Sequence, residues 1–334
     1  MTGRPALAAL GAATLAAAAL LAASVGSSPA AERKTYTVAF SNYAAVIPFY
    51  RSMIAGAKAG AKKYGIDLQV TDSGFDPSKQ VSQIQDDITK HVDLIIASPG
   101  DENALVPAYR DAKRAGIPVM SVANHIRPSQ QKSLELTFYG RNWAEVAAIR
   151  TKYLAKRLGG KGELIVIRGP SGVAFVEEEK QGLAATLKHY PGIRVVYDQN
   201  AKQFAASEGL RLGEDALTAH PNAKAIWTEG DDLAEGIVRA LKERNKKILL
   251  VGSDGAPAAF NLVLKGEMTA MLALPTYQWG LDFMRIARDF LAKGKRPAQL
   301  VKAPIVIVTQ ENARKILART CPKFPQEIYC IGRK

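Results

Sequence analysis

The sequence predicts an α/β protein made of two doubly wound domains with parallel sheets. From residue 36 onward, short apolar strand patterns alternate with amphipathic helix patterns, and repeated βα units build parallel sheets with right-handed crossovers. The series restarts after residue 139, which indicates two similar halves. Because no Ser/Gly-rich linker separates these halves, we expect tight connections between them. A chain of 334 residues, 47% of them hydrophobic, is long enough for two domains.

The first thirty residues have a different character from the rest of the chain. Arg4 is their only charge, an Ala/Leu-rich run extends from Ala6 to Val25, and small residues follow at Ser28-Pro-Ala30. This pattern predicts a signal peptide over residues 1–30, cleaved near Ala30, and export to the periplasm. The alternative is a retained helix, since the run is nearly long enough to span a bilayer. No cysteine follows the run, so we expect no lipid anchor.

The first half begins with an apolar strand at Thr37–Ser41. Helix Pro48–Tyr64 follows, because proline suits the first turn and Tyr64-Gly65 is a helix stop. The polar segment Asn124–Ser133 has no periodic pattern and is predicted to be a loop. The remaining predicted elements are strands Asp67–Thr71, Asp93–Ala97, Val119–Val122 and Leu134–Tyr139, and helices Pro77–Lys90 and Asn103–Ala115.

The second half repeats this alternation and ends in a cysteine-containing tail. An exported, oxidising setting favours a disulfide between Cys321 and Cys330. A metal pair is the alternative, but no histidine lies near them in sequence. The predicted helices are Asn142–Leu158, Glu177–His189, Phe204–Ala219, Leu233–Glu243, Ala256–Leu264, Gln278–Ala292 and Asn312–Leu317. The predicted strands are Glu163–Ile167, Arg194–Tyr197, Ala225–Thr228, Ile248–Gly252, Met268–Ala273 and Val301–Val308.

The charge distribution argues against nucleic acid as a partner. The formal net charge is +14, but the basic residues are scattered over predicted helix faces and no basic run is interleaved with aromatics. The four histidines are far apart in sequence, so neither a metal site nor a cofactor is predicted. A solvated basic surface is the favoured interpretation.

The end of the first strand is the natural place for a ligand. Open α/β sheets bind ligands at the carboxyl ends of their strands, and here Asn42 and Tyr43 stand at such an end. Phe49 and Tyr50 open the helix that follows. No Gly-rich phosphate loop is present, so a nucleotide is not expected. Aromatic rings suit the flat, partly apolar face of a sugar, although either ring could equally belong to the core.

Several motifs in matching order resemble the exported solute-binding proteins of sugar ABC transporters, of the ribose- and galactose-binding type. The resemblance covers essentially the whole mature chain. It implies the type I periplasmic binding protein fold, two lobes joined by three crossing strands near Tyr139, Ala273 and Ile307, which close on a ligand as periplasmic binding proteins do. The implied lobes are residues 32–139 plus 274–306 and residues 140–273 plus 307–334. The motifs are Ile47-Pro-Phe-Tyr50, Gly116-Ile-Pro-Val119, Thr218-Ala-His-Pro-Asn222, Glu229-Gly-Asp-Asp232, Val251-Gly-Ser-Asp-Gly255 and Ala273-Leu-Pro-Thr-Tyr277.

The resemblance also implies a set of ligand contacts. Family members hold the sugar between aromatic rings of the two lobes, which here match Phe49 and Tyr50 in the first and Phe204 in the second. An aspartate that accepts sugar hydroxyls matches Asp254, and charge-assisted hydrogen bonds are the stronger ones. The complete set of candidate contacts is Asn42, Tyr43, Phe49, Tyr50, Asn124, Glu177, Phe204, Glu229, Asp231, Asp254 and Gln278.

Departures from the family pattern bear on the ligand. Ala123-Asn124 stands where ribose-type members have Asp-Arg, Glu177 where they have Arg, Gly230 where they have Asn and Ala273 where they have Gln. Both arginines are therefore absent and an acid has appeared, which disfavours ribose in the usual pose. Another pentose, a hexose or a linear polyol is expected. An amine-bearing or cationic ligand is the alternative, since buried carboxylates need a partner. Glu177 could equally serve only to stabilise the N-terminus of its helix through the helix dipole.

Other functions are less compatible with the sequence. No Gly-x-Ser-x-Gly elbow exists and no Ser/His/Asp set can be nominated, so an enzyme is not expected. Regulators of the lactose-repressor family share the fold but carry a helix-turn-helix before it, where this chain has its signal pattern. The expected function is that of a monomer delivering a sugar or polyol to an ABC transporter permease. Presentation of the ligand to a membrane sensor is the alternative, and the sequence does not separate the two.

Overall fold

The computed structural model describes residues 35–171 and 173–332. The predicted signal peptide lies outside these residues. From Tyr36 onward the chain forms one compact unit. Among the helices of the described ranges, none is both long enough and apolar enough to cross a bilayer.

A six-stranded parallel sheet forms the centre of the first lobe, with the strand order β11-β5-β4-β3-β1-β2. Strands such as β3 and β4 are buried along their whole length, which is why they carry apolar runs rather than alternating patterns. The strands are β1 (Tyr36–Asn42), β2 (Ile66–Asp72), β3 (Leu94–Ala97), β4 (Val119–Val122), β5 (Thr137–Gly140) and β11 (Leu300–Lys302). The helices of this lobe are α1 (Pro48–Tyr64), α2 (Pro77–Thr89), α3 (Val106–Arg114), α4 (Pro128–Leu134) and α10 (Thr276–Lys293).

The second lobe repeats this plan with the strand order β12-β10-β9-β8-β6-β7. All its strand pairs are parallel except β10 with β12. The two-lobed α/β prediction is therefore confirmed. The strands are β6 (Lys161–Arg168), β7 (Gly192–Asn200), β8 (Ala225–Thr228), β9 (Leu249–Asp254), β10 (Ala270–Ala273) and β12 (Val306–Thr309). The helices are α5 (Trp143–Arg157), α6 (Ala174–Leu187), α7 (Ala206–Ala219), α8 (Asp231–Glu243), α9 (Pro257–Leu264) and α11 (Gln310–Thr320).

The chain passes between the lobes after β5, after β10 and between β11 and β12. The second passage sends α10 back to the first lobe, where it packs closely against α1. Gly56 permits this approach, because a Cβ at that position would overlap the Tyr277 carbonyl. The crossings expected near Tyr139, Ala273 and Ile307 lie in or beside these passages.

Three local predictions are wrong. The predicted strand Val301–Val308 is two strands, β11 and β12, because its apolar residues continue through a crossing and Pro304 interrupts the ladder. The predicted loop Asn124–Ser133 contains the start of α4, with Pro128 in the first turn. The strand predicted to begin at Leu134 begins at Thr137 instead, since Glu135 turns inward to accept a hydrogen bond from Ser121 (2.7 Å).

The tail after α11 folds back onto the second lobe. A short 3₁₀ turn at Ile328–Cys330 is buried in the core of that lobe. In the structure the sulfurs of Cys321 and Cys330 are bonded, with 5.3 Å between the Cα atoms.

Candidate ligand-binding site between the lobes

Tyr50 and Asn124 form the polar part of the site on the first lobe. Tyr50 lies in the first turn of α1, and its hydroxyl accepts a hydrogen bond from Asn124 Nδ2 (3.0 Å). Asn124 follows β4 and also donates to the Pro99 carbonyl (3.2 Å). Burial raises the pKa of Tyr50 to about 12, so the phenol is neutral and can donate as well as accept.

Phe49 lies where the two lobes meet. Its ring makes edge contacts with Tyr50 (centroids 5.1 Å apart) and Trp279 (5.8 Å). It packs against the cores of both lobes and is only partly buried. The sequence left open whether this ring belongs to the core or to the site. The ring lies at the junction of the two lobes, in contact with both cores and with Tyr50, so its role as a ligand contact stays a prediction.

Phe204 supplies an aromatic surface on the second lobe. Its ring stacks on Phe175, with centroids 5.8 Å apart and planes 16° apart. Glycines at Gly169 and Gly230 make room for it, since a Cβ at either position would run into the ring. Gly230 also has a φ of +77°, which glycine adopts at little cost.

Asp254 lies beside Phe204 at the carboxyl end of β9. Its backbone φ is +112°, a conformation that costs free energy for a residue with a side chain and often marks a functional position. Its carboxylate accepts from the backbone N–H of Asp231, and burial, followed by the charge of Glu179, raises its pKa to about 7. The Asp254 charge also helps to raise the pKa of Tyr50 of the other lobe, although burial is the main cause. We call the space bounded by Tyr50, Asn124, Phe204 and Asp254 the cleft.

Beneath the second-lobe side of the cleft lies a buried ion pair between Arg150 and Glu179. Both side chains are 2% exposed. Arg150 also donates to the Thr228 carbonyl (3.1 Å) and to Ser253 Oγ (2.6 Å). Its guanidinium lies 4.3 Å from the centroid of the Trp227 ring, which places this ring in the core rather than in the site.

Glu229 and Asp231, two further carboxyl groups that were predicted to contact the ligand, accept hydrogen bonds from backbone N–H groups. Glu229 is 1% exposed and accepts from the Gly169 N–H (2.7 Å). Asp231, 2% exposed, accepts from the Gly255 N–H (2.7 Å) next to Asp254. Burial raises the pKa of Glu229 and of Asp231 well above the usual range, with neighbouring carboxylates adding to the rise.

The four remaining predicted site residues have no hydrogen bond to Tyr50, Asn124, Phe204 or Asp254 among the described contacts. Asn42 donates to Asp72 Oδ1 (3.1 Å) and joins the ends of β1 and β2. The hydroxyl of Tyr43 donates to the Phe75 carbonyl (3.3 Å) at the outer rim of the lobe. Gln278 Nε2 donates to Asp282 within α10 (3.1 Å). Glu177 lies half-buried in the first turn of α6.

A second contact joins the lobes beside the cleft. His125, in the loop after β4, lies 3.3 Å from Glu178 of α6. Burial lowers the pKa of His125, but the hydrogen bonds that its ring donates to Glu178 and to the Ile126 carbonyl outweigh this effect and raise the pKa overall. The imidazolium form therefore favours the contact between the lobes.

Sequence reasoning missed Phe175, Arg150 and Glu178. Phe175 had a usable signal, because an aromatic residue at the start of a helix after a strand repeats the placement of Phe49. Arg150 and Glu178 look like solvated helix charges in the sequence, and only their tertiary partners distinguish them. Within residues 35–171 and 173–332, no group of His, Cys, Asp and Glu is arranged to hold a metal ion.

Two similar lobes with rings and polar groups at facing strand ends define a hinged protein for binding small molecules. Residues 38–296 match the periplasmic binding protein domain. The chain belongs to this family, whose members are substrate-binding transport proteins rather than enzymes. The prediction of a binding function is thereby confirmed.

Individual relatives resemble the chain over most of its length. The ribose import binding protein of Bacillus subtilis is 27% identical over 279 residues, which cover 84% of this chain and 89% of the relative. A periplasmic ribose ABC transporter protein from Conexibacter woesei has a crystal structure with a TM-score of 0.81 and 30% identity, covering 88% of this chain and 98% of that one. The periplasmic binding component of the arabinose ABC transporter from Shewanella sp. ANA-3, bound to L-arabinofuranose, has a TM-score of 0.76 and 29% identity. The match covers 85% of this chain and 95% of that one.

Proposed function

We propose that this protein is an exported binding protein that captures a neutral sugar or polyol in the cleft and delivers it to an ABC transporter permease. The observation that carries the proposal is the arrangement of Tyr50 and Asn124 opposite Phe204 and Asp254. Rings can cover the apolar C–H face of a sugar while the amide, phenol and carboxylate bond its hydroxyls. The ribose- and arabinose-binding relatives support this ligand class.

The charges around the cleft favour a neutral guest over an anionic one. The two arginines near the cleft already have acidic partners, Arg150 with Glu179 and Arg168 with Asp198 (2.7 Å). An anionic sugar would meet Asp254 while both of these guanidinium groups are paired with other acids, and removing such a charge from water is costly. Sugar phosphates and uronates are therefore expected to be excluded.

The three passages between the lobes are the natural hinge of this protein. The proposed lobes are residues 32–139 plus 274–306 and residues 140–273 plus 307–334. Family membership supports a periplasmic location for the mature chain. Cleavage near Ala30, a Cys321–Cys330 disulfide and a monomeric state belong to the same proposal.

A ligand panel tests the binding function directly. Purified mature protein would be screened by thermal shift and then calorimetry against D-ribose, L-arabinose, D-allose, myo-inositol and glycerol, with ribose 5-phosphate, galacturonate and putrescine as charged comparisons. We expect at least one neutral compound to raise the melting temperature, by an amount that grows with the logarithm of its concentration relative to its Kd, and the anions to give no shift. Binding of putrescine alone would favour the cationic alternative. Recovery of a chemically altered sugar would contradict a pure binding function.

Export and the disulfide are tested by mass spectrometry of protein secreted by the native host. The mature chain should begin at Ala31 or Glu32 and lack two hydrogens at Cys321 and Cys330. Free thiols at both positions would contradict the disulfide.

Transport and sensing are separated by deleting the gene. Loss of uptake of the bound sugar is expected if the protein serves a permease. If uptake is unchanged and only the behavioural response to that sugar is lost, the sensor alternative is correct.

A further inference from the structure

The tail segment, residues Pro322–Cys330, is firmly held in the second lobe. Ile328, Tyr329 and Cys330 are at most 3% exposed and belong to the core that also contains Phe260 of α9. The Phe260 and Tyr329 rings lie 5.5 Å apart. The bond from Cys330 to Cys321 ties the segment to the end of α11.

The same segment makes polar and aromatic contacts with the first lobe. Ser52 of α1, itself 1% exposed, donates its hydroxyl hydrogen to the Gln326 carbonyl (2.7 Å). The ring of Phe324 lies 5.7 Å from that of Tyr277 in the first turn of α10. The tail therefore bridges two elements of the first lobe while its own end is buried in the second.

Glu327 makes the strongest part of this bridge. Its carboxyl oxygens accept from the backbone N–H groups of Tyr277 (3.0 Å) and Gln278 (3.1 Å), and the side chain is fully buried. The N-cap residue of α10 is Pro275, which makes no side-chain cap. The first N–H groups of a helix lack partners within it, so the tail supplies from the second lobe the cap that α10 does not supply itself.

These contacts lie at the hinge. Helix α10 begins at Thr276, three residues after β10 ends in the second lobe, so its first turn follows the second passage between the lobes. Ser52 is two residues from Tyr50, which lines the cleft. A rotation of one lobe against the other changes the distance between the buried end of the tail and Ser52 or the start of α10.

We propose that the tail segment is a strap across the hinge that favours the arrangement in which the lobes touch. In this arrangement the contacts with Ser52, Tyr277 and Gln278 are all made, whereas opening lengthens at least some of them. The strap then sets the ratio of open to closed protein before any ligand binds. Ligand affinity follows that ratio, because binding at both faces of the cleft requires the closed form.

The strap is tested without any sugar. Ser52→Ala and Phe324→Ala each remove a contact with the first lobe, and Gln326→Ala is the matched control, because the side chain of Gln326 is exposed and only its carbonyl is used. Small-angle scattering should show a larger radius of gyration for the two strap variants. Hydrogen exchange in the passages around residues 140–143, 273–276 and 302–306 should accelerate about fivefold, the factor expected for one hydrogen bond. The control should match wild type.

A second variant protects the test against misfolding of α1. Cys321→Ala/Cys330→Ala releases the tail from α11 without touching the first lobe, and it should open the hinge in the same way. If the passages exchange at the wild-type rate in all variants, while only α9, α11 and the 3₁₀ turn become less protected, the tail is an anchor of the second lobe and the proposal is wrong. Failure of every sugar to bind would leave this result intact.

Discussion

The first lobe lines the cleft with the phenol of Tyr50 and the amide of Asn124, whereas the second lines it with the Phe204 ring and with Asp254 above a buried network of carboxyl groups. Tyr50 and Asn124 are uncharged, and Asn124 Nδ2 donates a hydrogen bond to the Tyr50 hydroxyl (3.0 Å). On the other side, the charge of Glu179 adds to the raised pKa of Glu229, and Arg150 forms an ion pair with Glu179. The same sheet topology thus supports two different kinds of binding surface.

The difference lies in what each surface needs to stay folded. Neutral groups need only hydrogen bonds, so the first-lobe surface rests on a few such bonds, as between Tyr50 and Asn124. Buried charges need a partner of opposite charge, so the second-lobe surface depends on the pairing of Arg150 with Glu179. We therefore expect mutations in the buried ion-pair network of the second lobe to cost the most stability, and mutations of residues that line the cleft to change mainly affinity.

Breaking the buried ion pair should have the largest effect. Arg150→Met leaves Glu179 without its partner and should lower the free energy of unfolding by about 3–5 kcal/mol, the usual cost of an uncompensated buried charge. Urea denaturation measures this. Arg194→Ala removes an exposed pair with Glu163 and should cost less than about 1 kcal/mol. Equal losses for the two variants would contradict the comparison.

Removing a ring from either side of the cleft should weaken ligand binding next most. Phe204→Ala and Phe49→Ala are expected to lose about 2–4 kcal/mol of binding free energy, as buried aromatic anchors do. Asp254→Asn should lose about 1.5–3 kcal/mol, the scale of a hydrogen bond to a charged group. Calorimetry with the panel sugar that binds is the measurement.

The control for these ring variants is Phe75→Ala, because Phe75 is exposed on the outer surface of the first lobe. It should bind as wild type does. Wild-type affinity in all three cleft variants, with the fold intact, would show that the ligand binds elsewhere.

Glu135, a buried acid of the first lobe that accepts from Ser121, gives a pH test. Burial raises the pKa of Glu135 from 4.5 to about 7, so the folded state binds a proton more tightly than the unfolded state. The contribution of Glu135 to the free energy of unfolding is therefore most favourable below pH 4.5 and is lost as pH rises through about 7. Glu135→Gln lacks this dependence, so its stability relative to wild type should increase with pH, reaching about 1–3 kcal/mol near pH 8.

Urea denaturation at several pH values measures this effect. Glu145→Gln, at an exposed position paired with Lys302, should show no comparable trend. A difference between Glu135→Gln and wild type that stays constant with pH would mean that Glu135 is ionised in both states.

The smallest expected effect concerns the contact between the lobes at His125. Because the pKa of His125 is raised, its ion pair with Glu178 is complete at low pH and is lost as pH rises through that raised value. The charge of Glu135 and the hydrogen bond to the Ile126 carbonyl also act on His125, and both raise its pKa. Ligand affinity should fall about threefold or less between about pH 6 and pH 8, as expected for a partly exposed pair.

Glu178→Gln should remove this pH dependence while leaving affinity at high pH unchanged. Affinity measured by calorimetry across the pH range decides it. A wild-type pH profile in Glu178→Gln would assign the dependence to Glu135 or Asp254 instead.

The sequence by itself determined the alternating α/β plan, the two lobes and the ends of strands at which Tyr50, Asn124 and Asp254 lie. Hydrophobic periodicity and turn residues are local signals, so each element could be recognised from its own few residues. The family motifs added Phe204, whose place in the second lobe no local pattern indicates. The expectation that Glu229, Asp231 and Gln278 contact ligand rested on motif position alone, and their side chains bond to backbone or to α10 in the structure.

Tertiary structure alone decided how charges and the tail are used. The partners Arg150 and Glu179, His125 and Glu178, and Ser52 and Gln326 are separated by 29, 53 and 274 positions in sequence. The division of residues 301–308 between two sheets likewise depends on which lobe each half meets. Such pairings form only when segments distant in sequence pack together. Charged residues of a type usually found on the surface then become structural, because a buried charge needs a partner of opposite charge.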